Sequence, residues 1–200
     1  MQELREIALR EHCAVHAYVL MSNHMHLLIT PSAAGQIARL MQSLGRRYVR
    51  YVNDPYHRTG TLREGRHKSS RVDREIFLLQ CYRYIELNPV RARMTTDPQH
   101  YPRPSHASHA FGCDDPLMHP HANYLALGQS RDERCAAYRT FAMETLSQDD
   151  VDAIRTHLQR QHALGPDRFR PAIEAQLSRR AGSAKIGRPS KSALLGESAL

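Results

Sequence analysis

MSNHMHLLITP, residues 21–31, sets His24 and His26 one residue apart inside a short apolar run. A plain strand would use Val or Ile at such positions, so the two imidazoles ask for a reason. Side chains alternate along a strand, so His24 and His26 share one face while Met25 and Leu27 share the other. Their Cα atoms then lie about 6–7 Å apart, close enough for two rings to converge on one cation. The plainer reading is that both sit on the wet face of a half-buried strand, and HxH alone is too short a pattern to choose. Upstream, VHAYVLM (15–21) alternates well enough for a partner strand, and SN (22–23) is turn chemistry. Two strands joined this tightly predict an antiparallel hairpin.

The chain has 200 residues, 41% of them hydrophobic, enough for a domain with a real core. Lys and Arg exceed Asp and Glu by 28 − 20 = +8, and the pI is near 9.6. That surplus favours a polyanionic partner, nucleic acid ahead of membrane. No apolar run approaches the roughly 20 residues of a membrane span. The opening MQELREIALREH is too charged for a signal peptide. Cys13, Cys81, Cys113 and Cys135 are scattered without a CxxC pair, which predicts reduced cysteines in a cytoplasmic protein.

Residues 2–13 read as a short helix with Leu4, Ile7 and Ala8 on one face. From Ser32 to about Asn53, Ile37, Leu40, Met41, Leu44, Tyr48, Tyr51 and Val52 recur at helical spacing, with Arg39, Arg46, Arg47 and Arg50 on the other face. RTGTLREGRHKSSR (58–71) is Gly-rich and strongly basic and reads as a loop with a short strand. Asp73 caps a helix, REIFLLQCYRYIELN, that Pro89 stops. Residues 97–123, rich in Pro, His and Ser, read as loop, so His106, His109, His119 and His121 are taken as structural or incidental. Helices are expected around 130–145 and 149–162, the second opened by Ser147, Asp149 and Asp150, and the tail lacks periodicity.

CYRYIELNPVRA (81–92) is the second unusual stretch. Asn88 follows Tyr84 by four residues, which puts both on one helical face about 6 Å apart. A phenol near a cation can serve as a nucleophile, and an amide oxygen is a competent ligand for a hard divalent ion. Tyr84 as core and Asn88 as a helix cap is the plainer alternative. Tyr82 sits about 200° around the helix, so at most one of the two tyrosines faces the histidines.

Taken together, HAYVLMSNHMHLLITP (16–31), SLGRRYVRYVN (43–53), RTGTLREGRHKSSRVD (58–73) and CYRYIELNPVRARM (81–94) resemble the HUH single-tyrosine transposases, and most closely the REP-associated tyrosine transposases. Weaker echoes run through HANYLALG (121–128) and GRP (187–189), the latter similar to a minor-groove hook. Ser22 stands where the family usually has Pro and Arg63 where it has Trp, and neither touches the chemistry.

The resemblance implies an α+β, ferredoxin-like antiparallel sheet with helices on one face and a C-terminal helical extension. Only about fifteen residues precede the histidine hairpin, so the family's first strand is expected to be missing. It further implies a catalytic domain over 1–110, a helical extension over 111–165 and a basic, flexible tail over 166–200. The implied reaction is cleavage and rejoining of single-stranded or hairpin DNA, with Tyr84 as nucleophile and a 5′-phosphotyrosine link. A divalent cation, Mg²⁺ or Mn²⁺, would be held by His24, His26 and Asn88. Arg46, Arg47, Arg50, Arg58, Arg63, Arg66, Lys68 and Arg71 would meet DNA phosphates. No membrane partner is expected, and monomer and homodimer both stand open. Two rivals remain at this level: a truncated hairpin-DNA-binding relic without catalysis, and a metal-dependent nuclease using water.

Overall fold

In the computed structural model, which describes residues 1–177 apart from 61, 63–66, 74, 76, 103, 104, 145, 146 and 167, the predicted hairpin is present. Strand β1 (Cys13–Leu20) pairs antiparallel with β2 (Met25–Pro31), Leu20 opposite Met25 and Cys13 opposite Pro31. Among the described residues these two strands form the sheet. The Met21 N–H donates to the His24 carbonyl at 2.8 Å and closes the turn.

A bulge at His16, which simple alternation does not show, changes the phase of β1. Cys13 and Val15 before it, and Tyr18 after it, pack with helices α1 (Gln2–Arg10) and α2 (Gln36–Asn53). Ala17 and Val19 pack on the opposite side, against α3 (Leu78–Glu86). The α+β class therefore holds, while the helices cover both faces of the ribbon where one face was expected. His16 itself is buried, its ring nitrogens 2.6 Å from the His119 carbonyl and 2.9 Å from Thr30 Oγ1.

Leu4, Ile7 and Ala8 bury the expected face of α1. Helix α2 starts at Gln36 and not at Ser32, because Gly35 takes a left-handed φ of +82° and turns the chain first. Its stripe is only half used. Leu40 is fully buried, but Tyr48 and Tyr51 are 53% and 77% exposed, so the last turns of α2 carry their apolar face past the core.

Asp73 does not cap α3, which begins at Leu78 after Phe77; its Oδ1 accepts from the Glu75 N–H at 2.9 Å in a turn that precedes the helix. Pro89 interrupts the helix and does not end it. Lacking an N–H and crowding the carbonyl four residues back, it breaks the rod at Leu87 between α3 and the short α4 (Asn88–Arg91).

The stretch expected as loop holds a 3-10 turn (Pro98–His100) and helices α5 (His106–Phe111) and α6 (Ala122–Leu125). Parts of it seal the outer edge of β1. The Ser105 N–H donates to the Tyr18 carbonyl at 3.0 Å, Ser105 Oγ accepts from the Tyr18 N–H, and the His119 N–H donates to the Val15 carbonyl at 2.8 Å. Backbone groups on an edge strand are thereby satisfied without a further strand.

Helix α7 (Arg131–Met143) begins with a Ser130–Glu133 capping box and α8 (Gln148–Arg160) with Ser147, near their expected places. Helix α9 (Phe169–Leu177) occupies part of the segment expected as irregular tail. The minor-groove motif at 187–189 lies outside the described residues. One apolar cluster joins Ala17 and Val19 to Leu78, Cys81 and Ile85, and onward to Tyr124, Tyr138, Val151, Ile154 and Leu164. The α3 side of the hairpin and the later helices thus share one interior. All four cysteines are free, as expected.

Candidate active site

The turn delivers His24 at the last position before β2, and β2 carries His26 on the face toward α3, opposite Val19. Their Nε2 atoms lie 3.2 Å apart. Two nitrogen ligands each about 2.1 Å from one cation stand about 3.0–3.4 Å from each other, so the rings hold the spacing of a ligand pair. Asn23 Oδ1 lies 2.7 Å from His24 Nδ1. An amide oxygen only accepts, so this contact puts the proton on Nδ1 and leaves the His24 Nε2 lone pair free. Burial, reinforced by His24 and Arg91, pushes the His26 imidazole down to about 4, so it is neutral and able to ligate at neutral pH.

Helix α3 brings Tyr84 edge-on to His26, ring centroids 5.9 Å apart at 88°. Tyr84 is 5% exposed. Asn88, at the start of α4, is half-buried with its Nδ2 unpaired. Arg91, at the end of α4, lays its guanidinium 4.4 Å over the Tyr84 ring and donates through Nη2 to the Tyr84 carbonyl. Neither Asn23 nor Arg91 was singled out from sequence, where one read as turn chemistry and the other as one arginine among many.

Tyr82 points away, as its helical angle required. It stacks on His109 at 4.6 Å and 28°, and burial raises its pKa. Its neighbourhood is built on Glu86, fully buried and invisible to motif reasoning. Glu86 accepts from Ser105 Oγ at 2.5 Å, Tyr138 OH at 2.6 Å, His109 Nδ1 at 2.6 Å and His106 Nδ1 at 3.2 Å. Burial alone would raise this carboxyl; the charge of His109 and the hydrogen bonds from both histidines outweigh it and bring it down to about 2. His106 and His109 are structural, though on a helix and not in a loop. His121 caps α6, its Nδ1 accepting from the Asn123 N–H at 3.2 Å.

Three of the expected DNA-binding cations, Arg46, Arg50 and Arg58, line one open groove of about 600 Å³ beside α2. Arg47 turns the other way and pairs with Glu3 and Glu6 of α1. Lys68 and Arg71 are exposed, and Arg63 and Arg66 lie outside the described residues.

Whether the site fits a divalent ion turns on its donors. Two neutral imidazoles stand at ligand spacing, and Asn88 adds an amide on the neighbouring helix turn. Among the described residues no cluster of three His, Cys, Asp or Glu forms a ready-made cage. The donor set therefore suits a cation that takes its remaining ligands from water and a substrate phosphate. No helix among the described residues is long and apolar enough to cross a membrane.

His26 on β2, with His24 just before the strand, therefore meets Tyr84 of α3 within a basic α+β chain. Residues 1–86, a little under half of the chain, match the family model described as Transposase IS200 like, so this segment is similar to that family. No curated protein and no solved structure matches the chain.

Proposed function

We propose that this chain is a REP-associated tyrosine transposase, located in the cytoplasm, that cuts and rejoins single-stranded or hairpin DNA through Tyr84. The observation that carries the reading is the contact of Tyr84 with His26 while His26 and His24 hold their Nε2 atoms 3.2 Å apart. His24, His26 and the Asn88 amide oxygen would hold Mg²⁺ or Mn²⁺. When bound, such an ion polarises the scissile phosphate and offsets charge on its oxygens.

The Tyr84 hydroxyl attacks phosphorus. The new bond is Tyr84 O–P, the bond broken is P–O3′, the phenolic proton passes to solvent and the departing oxygen becomes a 3′-OH. One phosphodiester replaces another, so the step needs no nucleotide cofactor. Asn23 orients His24, and Arg91 fixes the face of the Tyr84 ring. Arg46, Arg50 and Arg58 supply one phosphate-binding groove, with Arg47, Arg63, Arg66, Lys68 and Arg71 as further contacts.

Near-burial of Tyr84 favours a second reading, a hairpin-DNA-binding protein without catalysis. Incubation with end-labelled hairpin DNA and Mg²⁺, followed by denaturing electrophoresis, separates the two. A label that migrates with the protein supports strand transfer. Binding without any adduct leaves the non-catalytic reading.

A further inference from the structure

Arg91 has more donors than the protein gives it uses for. Its Nη2 is spent on the Tyr84 carbonyl and its plane lies on the Tyr84 ring, yet its Nε is buried with no partner. Three residues earlier on the same short helix, Asn88 Nδ2 is also buried and unpaired. Buried donors left unsatisfied keep their desolvation penalty without compensation, so two within one helical turn call for an acceptor. Among the described residues no Asp or Glu is ion-paired with Arg91. After burial, Tyr84 acts on Arg91 in the direction that favours its charge, and Arg155 of α8, a second cation, acts against it. Burial brings Arg91 down to about 10, which still leaves it charged at neutral pH. A half-buried cation, a second cation and an orphan amide N–H beside a tyrosine make a site for an oxyanion.

We propose that Arg91 Nε and Asn88 Nδ2 form a clamp for a non-bridging oxygen of a phosphodiester, holding it against Tyr84. The clamp deepens the strand-transfer reading and rests on it for the identity of the anion. It divides the Asn88 side chain into two tasks, with Oδ1 facing the cation and Nδ2 the phosphate. It also explains a choice of residue. Only a planar guanidinium can lie flat on a ring, reach a carbonyl with one nitrogen and offer a second nitrogen to an oxyanion; an ammonium offers charge without the fork.

The test uses the full chain labelled with ¹⁵N at arginine Nε, with the Arg91 signal assigned by its loss in Arg91→Lys. Metal-free protein is titrated with the dinucleotide phosphodiester dTpdT and, separately, with orthophosphate. A saturable shift of the Arg91 Nε–H signal by dTpdT is expected. No shift, or a shift with orthophosphate alone, overturns the clamp. A parallel measurement follows single-turnover adduct formation. Removing one preorganised donor costs roughly a hundred-fold in rate, so Arg91→Gln should slow the adduct by about that factor at saturating hairpin DNA. Arg91→Lys should recover part of the loss. Equal loss in both variants with lowered melting temperatures makes Arg91 merely structural and overturns the proposal. Should wild type form no adduct while dTpdT still shifts Arg91, the strand-transfer reading fails and the clamp stands.

Discussion

His24 and His26 on one side of α3, and His106 and His109 on the other, are the same side chains in opposite surroundings. Each pair has a tyrosine of α3 against it: Tyr84 meets His26 edge-on, and Tyr82 stacks on His109. The buried pair is tied to Glu86, with Ser105 and Tyr138 completing the acceptor's shell. Among the described residues the other pair has no carboxylate in its hydrogen bonds; its nitrogens meet each other and one amide oxygen. A carboxylate turns histidines into internal struts. Its absence leaves lone pairs for something that arrives from outside.

The sharpest way to break this contrast is at the two tyrosines. Tyr84→Phe should eliminate the covalent protein–DNA adduct, because it removes the attacking oxygen and little else. Tyr82→Phe should leave the adduct in place, and denaturing gels of both variants decide it. An adduct lost in Tyr82→Phe and kept in Tyr84→Phe would exchange the roles of the two sides.

Stability should separate the pairs in the reverse order. Glu86→Ala strands the buried donors of Ser105, His106, His109 and Tyr138, and should cost about 3–5 kcal/mol in urea unfolding, the usual penalty for breaking a buried charged pair. His24→Ala, on an exposed side chain, should stay within about 0.5 kcal/mol while abolishing metal-dependent cleavage. A larger loss for His24→Ala would mean that the open pair is also a strut.

Acid should act through the same carboxylate. Glu86 is depressed in the folded state, from 4.5 to about 2, so its contribution is fully present above pH 4.5 and fades as pH falls toward 2. That shift corresponds to about 3 kcal/mol, and Glu86→Gln should flatten the urea midpoint across this window. An unchanged pH slope in Glu86→Gln would show that other carboxylates govern acid unfolding.

The smallest effect concerns the groove. Replacing Arg46, Arg50 and Arg58 together by Ala should lower the log–log salt slope of single-strand binding by roughly 0.7 per lost phosphate contact. Arg47→Ala, whose guanidinium is engaged by Glu3 and Glu6, should change that slope least. Equal slopes for the two variants would make the groove an ordinary solvated face.

The parts of the molecule legible in sequence were those where local pattern and final environment agree. The hairpin followed from alternation around Ser22 and Asn23, and α8 from its opening Ser147, Asp149 and Asp150. Tyr84 was separable from Tyr82 because 100° per residue is fixed by the backbone alone. What escaped depends on contacts distant in sequence. His106 and His109 looked like loop residues because the helix holding them is short and is fastened by a carboxylate twenty or more positions away. Tyr48 and Tyr51 continued a good apolar stripe, but nothing in the stripe says where the core beneath it stops. The His16 bulge left no mark of its own, since the inserted residue resembles its neighbours until its partners Thr30 and His119 are in place.

The family likeness ends at residue 86, and Glu86 is where the later chain takes hold. Its acceptor bonds run to positions 105, 106, 109 and 138, all outside the likeness. The portion that relatives share is therefore not a portable module. A gene fusion that joined residues 1–86 to an unrelated second half would inherit helix α3 with its terminal carboxylate walled off from water and nothing to greet it. To remain functional, such a chimera would have to carry the four donors along, so the two halves of this protein are expected to be inherited as a block.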